Sequence, residues 1–298
     1  MTLRPRRAWR RARSGLGAPW WATGGCRPQR SSGRVGRETI VTVSAEEHQS
    51  YGERTSGGLV LDVQHVGKQF GGLQALHDVT LQLRQGEIVG LVGANGAGKS
   101  TLLNCIAGAI KSDEGRVTFA GHDVTGLSPE RRCRLGISRT FQLPRPFPNL
   151  TALETVMVAT WAGRRGRSRR AAVIAATEAL ALARVRNRPD APASELTTGD
   201  LRRLDLARAL ATSPRLLLLD EIGAGSTATE LDELFDVVLQ LRASGMTVIL
   251  VEHILHAIGS LCDRVALLDH GQVLLDGPTA EVVADPLFSA HYLGITTP

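Results

Sequence analysis

The residues best suited to chemistry form a glycine-rich run, GANGAGKST, at positions 93–101. This run follows the apolar segment EIVGLVG and opens a helical pattern, which is the setting that a phosphate-binding loop requires. Glycines let backbone N–H groups converge on phosphate oxygens, and the helix N-terminus adds partial positive charge. Lys99 is suited to reach the β- and γ-phosphates and Ser100 to bind Mg²⁺. The predicted nucleotide-binding residues are Gly93, Asn95, Gly96, Gly98, Lys99, Ser100 and Thr101.

A second candidate for chemistry is the acid pair that ends the segment RLLLLDE at 215–221. Strand ends are where α/β sheets place their chemistry. An acid pair after a buried strand would put Asp220 near Mg²⁺ and Glu221 beside an attacking water. In isolation the segment fits a core strand with a solvated acidic end equally well. The phosphate loop in the same chain favours the catalytic interpretation.

The elements that must position these residues indicate an α/β fold. Continuous apolar runs in EIVGLVG, RLLLLD and MTVILVE predict buried strands of a parallel sheet. The alternating segments LVLDVQHV and ALHDVTLQL predict an antiparallel flank with FGG as its turn, and DRVALLDHGQVLLDG predicts a hairpin. Helical patterns occur at 99–110, 151–161, 169–185, 199–212, 229–243 and 278–285. Strands that alternate with helices predict a P-loop α/β domain at 58–298, with a helical subdomain at about 128–200.

The first 57 residues differ in composition from this domain. Residues 1–40 contain ten Arg and one Glu and so carry +9, which exceeds the +6 of the whole chain, so the other 258 residues sum to −3. We therefore expect no nucleic-acid-binding face on the folded domain. The Arg-, Gly- and Pro-rich segment 1–57 predicts a disordered extension. A nucleic-acid arm, a transit peptide and a true start near Val41 or Val43 remain alternatives for it.

Other features of the composition narrow the class of protein. The segment 1–40 lacks the apolar core of about 7 to 15 residues that a secretory signal needs. No apolar run approaches the roughly 20 residues needed to span a bilayer. The cysteines have no metal-binding spacing and suit a reducing cytosol; they are Cys26, Cys105, Cys133 and Cys262.

With these motifs in place, residues 58–298 resemble the ATP-binding subunit of ABC transporters. The resemblance implies that ATP is the nucleotide and that Phe70 stacks on adenine. It also implies that Gln142, in SRTFQ, contacts Mg²⁺ and water and links to the transport partner, while His253 contacts the γ-phosphate. Each of the three has an ordinary role in isolation, and their order and spacing carry the resemblance. The implied catalytic residues are Glu221, His253 and Gln142, and the implied Mg²⁺ ligands are Ser100, Gln142 and Asp220.

One motif departs from the family pattern. The loop LTTGD stands where the family has Leu-Ser-Gly-Gly-Gln, a loop that presses on the γ-phosphate bound to the opposing subunit. Thr197 keeps a hydroxyl and Gly199 keeps the close-approach glycine, whereas Thr198 and Asp200 depart. A carboxylate within ~4 Å of a phosphate charge would cost roughly 1 to 4 kcal/mol. We favour the alternative that Asp200 turns toward its own helix, where negative charge is stabilised.

Two further departures lie in the stretch that crosses between subunits in the family. Ile222 stands where Pro is usual, and Ser226-Thr227 replace Leu-Asn or Leu-Asp. We therefore expect an asymmetric pair of ATP sites. Glu221 hydrolyses ATP in one, and the site completed by the Thr197–Asp200 loop works more slowly. The alternative for this loop is a capped amphipathic helix with no role in nucleotide contact.

Within the family, GISRTFQLPRPFPNLTALETVMVA and the C-terminal segment most resemble an ATPase subunit of branched-chain amino acid importers, whose relatives import urea or short amides. The resemblance implies a location at the cytoplasmic face of the membrane. Its implied partners are membrane permease subunits, a second ATPase subunit and, indirectly, a periplasmic-type solute-binding protein. One alternative is a soluble ABC ATPase of translation or DNA repair, although no second ATPase unit or long coiled coil occurs here. Another is a nucleotide-binding subunit with weak catalysis, which the altered loop suggests.

A candidate surface for the membrane partner follows Gln142. The segment LPRPFPNL at 143–150 has three prolines and one aromatic residue, which predicts an extended segment. We interpret it as part of a groove for a partner helix, with a loop whose Phe147 folds back on the core as the alternative. The basic run RRGRSRR at 164–170 predicts a solvated face, with contact to anionic lipid as the alternative.

Overall fold

Two β-sheets with surrounding helices organise the residues that the computed structural model describes, which are 58–141, 147–163, 168–185 and 189–292. All of them belong to one unit, Thr55–Pro298. The strands are β1 (Leu59–Phe70), β2 (Leu73–Arg84), β3 (Ile88–Val92), β4 (Glu114–Phe119), β5 (His122–Asp123), β6 (Ile137–Arg139), β7 (Leu216–Asp220), β8 (Thr247–Val251), β9 (Arg264–Asp269) and β10 (Gln272–Pro278). The α-helices are α1 (Lys99–Ala107), α2 (Pro129–Leu135), α3 (Ala152–Gly163), α4 (Arg169–Leu182), α5 (Thr198–Ala211), α6 (Ala228–Ala243), α7 (Leu255–Leu261), α8 (Thr279–Ala284) and α9 (Pro286–Tyr292).

The larger sheet has six strands in the order β10-β9-β3-β8-β7-β6. Its five strands from β9 to β6 are parallel, and β10 pairs with β9 as an antiparallel hairpin. Every residue of β3, β7 and β8 is buried, which explains why their sequences are apolar without alternation. The predicted parallel core is confirmed.

The smaller sheet is antiparallel, in the order β2-β1-β4-β5, and forms the predicted flank. Its buried side chains, with Leu61 and Phe119 among them, share one apolar core with α1 and the larger sheet. The loop between β3 and α1 lies against this core, because a Cβ added at Gly98 would lie 3.0 Å from Leu76 of β2 and 3.4 Å from Leu268 of β9. The sequence prediction omitted β4 and β5.

The helical part consists of α3, α4 and α5, which pack on one another. The predicted subdomain at about 128–200 differs from the structure in one respect, because α2 and β6 lie inside it. Strand β6 pairs in parallel with β7, from Ile137 opposite Leu216, and so belongs to the larger sheet. Three residues are too few for a periodic pattern to reveal a strand. Among the described residues, no helix combines the length and apolar character needed to cross a membrane.

Candidate functional site

The candidate phosphate loop connects β3 to α1, in the setting that the sequence predicts. Two of its glycines hold positions that other residues could not take. Gly93 has φ of 150°, and a Cβ added there would lie 2.0 Å from the Leu268 carbonyl oxygen. Gly98 has φ of 106°, and its added Cβ would lie 2.6 Å from the Ala75 carbonyl oxygen. The loop therefore packs directly against the backbones of β9 and β2.

The N-terminus of α1 carries no side-chain cap, because its N-cap residue is Gly98. The first N–H groups of the helix thus have no capping side chain to accept their hydrogen bonds. The Lys99 ammonium lies across the loop and donates to the carbonyl oxygens of Gly93 at 2.7 Å and Ala94 at 2.8 Å. A helix N-terminus with an ammonium beside it suits a polyphosphate. Asn95, Gly96 and Ser100 are exposed, and Thr101 is half-buried.

The acid pair Asp220 and Glu221 is electrostatically coupled to this loop. Burial lowers the pKa of Lys99, and the negative charges of Glu221 and Asp220 act in the opposite direction. The electrostatic coupling joins residues that lie more than 100 positions apart in the sequence. The parallel sheet produces this proximity, because β3 and β7 both end at the same edge.

Asp220 is suited to a metal ion. It is 3% exposed, and burial raises its pKa, an effect that the Arg139 guanidinium opposes. Arg139 donates to Asp220 Oδ2 at 3.3 Å, whereas the buried Oδ1 has no hydrogen-bond partner among the described residues. The Ser100 side chain is also close enough to lower this pKa. An unpaired carboxylate oxygen near a hydroxyl fits Mg²⁺, which takes oxygen ligands and retains waters.

The predicted oxygen donors that the structure describes are the Asp220 carboxylate and the Ser100 hydroxyl. One carboxylate and one hydroxyl fit an ion that is completed by phosphate oxygens and water. Within the described part of the chain, no group of three or more His, Cys, Asp and Glu side chains is arranged to hold a metal ion.

Glu221 has an unusual backbone. Its φ is 49°, in the left-handed region, and its N–H donates to the Val251 carbonyl oxygen of β8 at 3.0 Å. A non-glycine residue pays conformational energy for this geometry, and such residues cluster at functional sites. The bend turns the chain away from β7 and leaves Glu221 half-buried at the sheet edge. This placement suits a residue that orients water.

His253 follows β8 and is exposed, and its neighbour Glu252 is 1% exposed. Glu252 Oε1 accepts a hydrogen bond from Gly223 N–H at 3.0 Å, whereas the buried Oε2 has no hydrogen-bond partner in the part of the chain that the structure describes. Burial raises the pKa of Glu252, while the Gly223 N–H and the positive charge of His253 act to lower it. Glu252 thus ties the segment that follows Glu221 to the segment that carries His253.

Phe70 and Gln142 complete the predicted set. Phe70 ends β1 with 45% of its surface exposed, and the Lys68 ammonium lies 5.3 Å from its ring centre. An exposed aromatic ring of this kind is available to stack on a base. Gln142 lies outside the described residues, so its predicted contact with Mg²⁺ remains a prediction.

The Thr197–Asp200 loop, whose sequence differs from the family pattern, caps its own helix. Thr197 is the N-cap of α5, and its hydroxyl accepts from Asp200 N–H at 3.2 Å and donates to Asp200 Oδ2 at 3.0 Å. Asp200 is 7% exposed, so its carboxylate lies within the first turn. Thr198 is exposed and Gly199 is half-buried. This geometry corresponds to the favoured alternative for Asp200.

The second departure also has a local structural role. Thr227 is the N-cap of α6 and forms a capping box with Glu230, whose carboxylate accepts from Thr227 N–H at 2.9 Å. Ile222 is buried. A Cβ added to Gly199 would lie 3.0 Å from Glu230 Oε1, so the N-termini of α5 and α6 adjoin. Glu230 therefore places a further carboxylate beside the Thr197–Asp200 loop.

The described part of the candidate partner surface presents one aromatic ring, Phe147, and Phe141 lies just before the segment. Phe147 is 42% exposed, and the Arg208 guanidinium lies 5.6 Å from its ring centre. Phe141 is 41% exposed, so neither ring is folded into the core. Positions 143–146 lie outside the described residues. In the basic run, 164–167 also lie outside, and Arg169 and Arg170 are exposed.

Two residues at the site escaped the sequence prediction. Glu252 directly precedes His253, and Arg139 lies three positions before Gln142, so both stand beside predicted residues. Their closeness in the sequence to His253 and Gln142 was the one signal that could have indicated them. Their contacts with Gly223 and Asp220 depend on the fold and could not be inferred from residue types.

Comparisons with known proteins agree with this geometry. Residues 76–224 match the family described as ABC transporter. The high-affinity branched-chain amino acid transport ATP-binding protein LivG of Salmonella typhimurium is 36% identical over 253 residues, which cover 79% of this chain and 98% of that protein. The corresponding protein BraF of Pseudomonas aeruginosa is 33% identical over 251 residues, with coverage of 79% and 98%.

Solved structures give the same result. A nucleotide-free ATP-binding cassette from an ABC transporter has a TM-score of 0.70 at 29% identity and matches 80% of this chain and 100% of its own. A dimeric post-hydrolysis cassette bound to ADP and Pi has a TM-score of 0.68 at 28% identity, with coverage of 74% and 98%. The predicted family and fold are confirmed. With its phosphate loop, acid pair and two-sheet core, the chain belongs to the ABC transporter family as an ATP-binding, ATP-hydrolysing subunit.

Proposed function

We propose that this chain is the energy-coupling subunit of an importer for branched-chain amino acids or a similar small polar solute. The observation that carries the proposal is the 36% identity to a branched-chain amino acid transport ATP-binding protein across 98% of that protein. The proposed location is the cytoplasmic face of the membrane. The proposed partners are permease subunits and a second ATPase subunit, with a solute-binding protein acting through the permeases.

The phosphate loop binds the triphosphate of ATP in this scheme. The Lys99 ammonium exchanges the carbonyl oxygens of Gly93 and Ala94 for oxygens of the β- and γ-phosphates, and the N–H groups that start α1 donate to the same groups. Ser100, Asp220 and Gln142 would hold Mg²⁺. When bound, this ion offsets the charge that the phosphate oxygens carry during transfer.

The catalytic segment acts on water. Glu221 orients a water in line with the γ-phosphate and accepts its proton, and His253 contacts the γ-phosphate. Glu252 holds the two segments together through Gly223, at 3.0 Å. Two head-to-tail subunits enclose ATP, and their closure and reopening move the permeases. The exposed Phe147 is proposed to contact a helix of the permease.

A second proposal concerns the site that the Thr197–Asp200 loop completes on the partner ATPase. The Thr197 hydroxyl already donates to Asp200 Oδ2, so its proton is not directed at a phosphate. The Asp200 N–H is likewise occupied by Thr197. A carboxylate here also opposes the phosphate charge. We therefore propose that this second site turns over more slowly than the site built on Lys99 and Glu221.

The experiment that tests the main proposal is transport by the assembled complex. The chain is co-expressed with candidate permeases, a second candidate ATPase and a candidate solute-binding protein from the same organism, then purified and reconstituted in proteoliposomes. We expect ATP-dependent uptake of radiolabelled leucine, isoleucine or valine, and loss of uptake in Glu221→Gln. Uptake of urea or a short amide instead would change the solute. An ATPase that copurifies with no membrane subunit would contradict the importer proposal.

A further inference from the structure

Arg139 makes the contacts that carry a further inference. It ends β6, and its side chain is only 10% exposed. One guanidinium nitrogen donates to Asp220 Oδ2 on β7 at 3.3 Å, and another donates to Asn104 Oδ1 on α1. The guanidinium carbon lies 4.8 Å from the centre of the Phe141 ring. One side chain therefore contacts β7, α1 and the segment that leads to Gln142.

Asn104 extends this contact toward the phosphate loop. Its amide nitrogen donates to the Ser100 carbonyl oxygen at 2.7 Å, while its amide oxygen accepts from Arg139. The amide of Asn104 thus connects the guanidinium to the first turn of α1. Ser100, which supplies the proposed hydroxyl ligand, is held at its backbone by this link.

The segment on the other side of Arg139 is also anchored. The Phe141 N–H donates to Asp205 Oδ2 of α5 at 2.7 Å, and Asp205 Oδ1 pairs with Arg208 at 2.9 Å. Asp205 is 4% exposed, and burial raises its pKa, which the Phe141 N–H opposes. The backbone directly before Gln142 is therefore fixed between Arg139 and α5.

The proposed Mg²⁺ ligands Ser100 and Asp220 lie on two separate elements, α1 and β7, and Mg²⁺ demands near-ideal octahedral geometry. A guanidinium is planar, and its N–H donors point in fixed directions, so it holds its acceptors in a defined arrangement. A lysine ammonium has rotatable donors and does not. We infer that Arg139 is a positioning residue that sets the spacing of the Mg²⁺ ligands. The inference rests on the proposed nucleotide site and concerns how strongly nucleotide binding at that site depends on Mg²⁺.

The test separates a role in metal geometry from a role in folding. Full-length wild-type protein and Arg139→Lys are titrated with a fluorescent ATP analogue, first in EDTA and then at increasing MgCl₂. Arg139→Lys keeps the charge and most of the volume but loses the fork. We expect its half-saturating Mg²⁺ concentration to rise roughly 10- to 100-fold, as for other residues that orient metal ligands. Its affinity in EDTA is expected to match wild type within about twofold.

Two further variants sharpen the result. Asn104→Ala breaks the link to Ser100 but leaves Asp220 paired, so we expect a smaller shift in the same direction. Arg215→Lys is the matched control, because Arg215 is another partly buried guanidinium, 6.0 Å from the centre of the Phe119 ring. We expect it to leave both titrations unchanged.

The possible results are distinct. Wild-type Mg²⁺ dependence in Arg139→Lys would overturn the inference. An equal loss of affinity with and without Mg²⁺, with a lower unfolding temperature, would assign Arg139 a structural role only and would also overturn it. A wild-type chain that binds no analogue under either condition would refute the proposed nucleotide site and the inference with it. Mg²⁺-specific weakening supports both.

Discussion

Two helices of this chain begin in loops that the ABC family places at phosphate groups, and they begin in opposite ways. Helix α1 starts at Gly98 without a side-chain cap, beside the Lys99 ammonium. Helix α5 starts at Thr197, whose hydroxyl is engaged twice by Asp200. The first N-terminus keeps its donors for an external anion. The second directs the Asp200 N–H to its own cap residue and adds negative charge.

The difference teaches that an α-helix N-terminus can bind an anion only when its N-cap residue leaves the first N–H groups free to donate. The positive end of a helix amounts to about half an elementary charge, which a nearby carboxylate offsets. Glycine supplies no acceptor at Gly98, and so α1 stays receptive. Because each ATP of the proposed dimer lies between one α1 and one α5, the two ends would contribute unequally to binding.

The largest expected effect tests the α1 side directly. In the assembled complex, Glu221→Gln removes the proposed proton acceptor and keeps the shape of the side chain. We expect turnover to fall about 10²- to 10⁴-fold with nucleotide affinity retained. Steady-state phosphate release and analogue binding measure the two quantities. Activity near wild type would show that the chemistry occurs at the other site and would reverse the comparison.

The next effect concerns binding at the same loop. Lys99→Ala removes a charged donor that lies over the phosphate loop, and such hydrogen bonds contribute about 1.5–3 kcal/mol. We expect ATP affinity to fall roughly 10- to 100-fold. Equilibrium binding of labelled ATP with Mg²⁺ measures the change, and Lys111→Ala, a lysine outside the loop, is the control. Equal binding by wild type and Lys99→Ala would contradict the phosphate-loop assignment.

The contrast between these helices also shows what sequence can predict. The α1 loop was predictable because its glycines, Lys99 and Ser100 all lie within one run of nine residues, 93–101, and their spacing is that of a phosphate-binding loop. The Thr197–Asp200 loop was placed by the family resemblance, whereas its internal hydrogen bonds needed coordinates. Arg139 was not predicted, since its partner Asp220 is 81 positions away and lies beside it only through the pairing of β6 with β7. Contacts between strands of one sheet depend on topology, which residue types do not specify.

The α5 side is tested by a gain of activity. Asp200→Ala removes the acceptor of the Thr197 hydroxyl and one negative charge near the proposed phosphate. A repulsion of about 1 kcal/mol or more corresponds to at least a fivefold change in rate. We therefore expect turnover of the assembled complex to rise about fivefold or more, with a loss of stability below about 1 kcal/mol.

A matched control exists at α3. Thr151 and Glu154 exchange the same kind of hydrogen bonds, with the Thr151 hydroxyl donating to Glu154 Oε2 at 3.0 Å. Glu154→Ala is expected to cost similar stability without raising turnover. A faster Glu154→Ala complex, or an unchanged Asp200→Ala complex, would contradict the assigned role of Asp200.

The smallest effect concerns Glu252, the buried carboxylate that connects the segments carrying Glu221 and His253. Burial raises the pKa of Glu252 above the ordinary value of 4.5. Below that ordinary value Glu252 is protonated in both folded and unfolded chains, and as pH rises through its folded-state pKa the buried charge reduces stability. Glu252→Gln keeps the acceptor for Gly223 and removes the charge. We expect the variant to unfold at higher urea concentration than wild type at pH 8, and the difference to shrink toward pH 4.5.

Urea midpoints across this pH range measure the Glu252 effect, with Glu195→Gln as the control. Glu195 is exposed, and its replacement is expected to change stability by no more than about 0.5 kcal/mol at any pH. A gap between wild type and Glu252→Gln that stays constant with pH would show that the carboxylate is ionised in the folded protein at little cost. The segments that carry Glu221 and His253 would then hold a buried carboxylate as readily as the first turn of α5 holds Asp200.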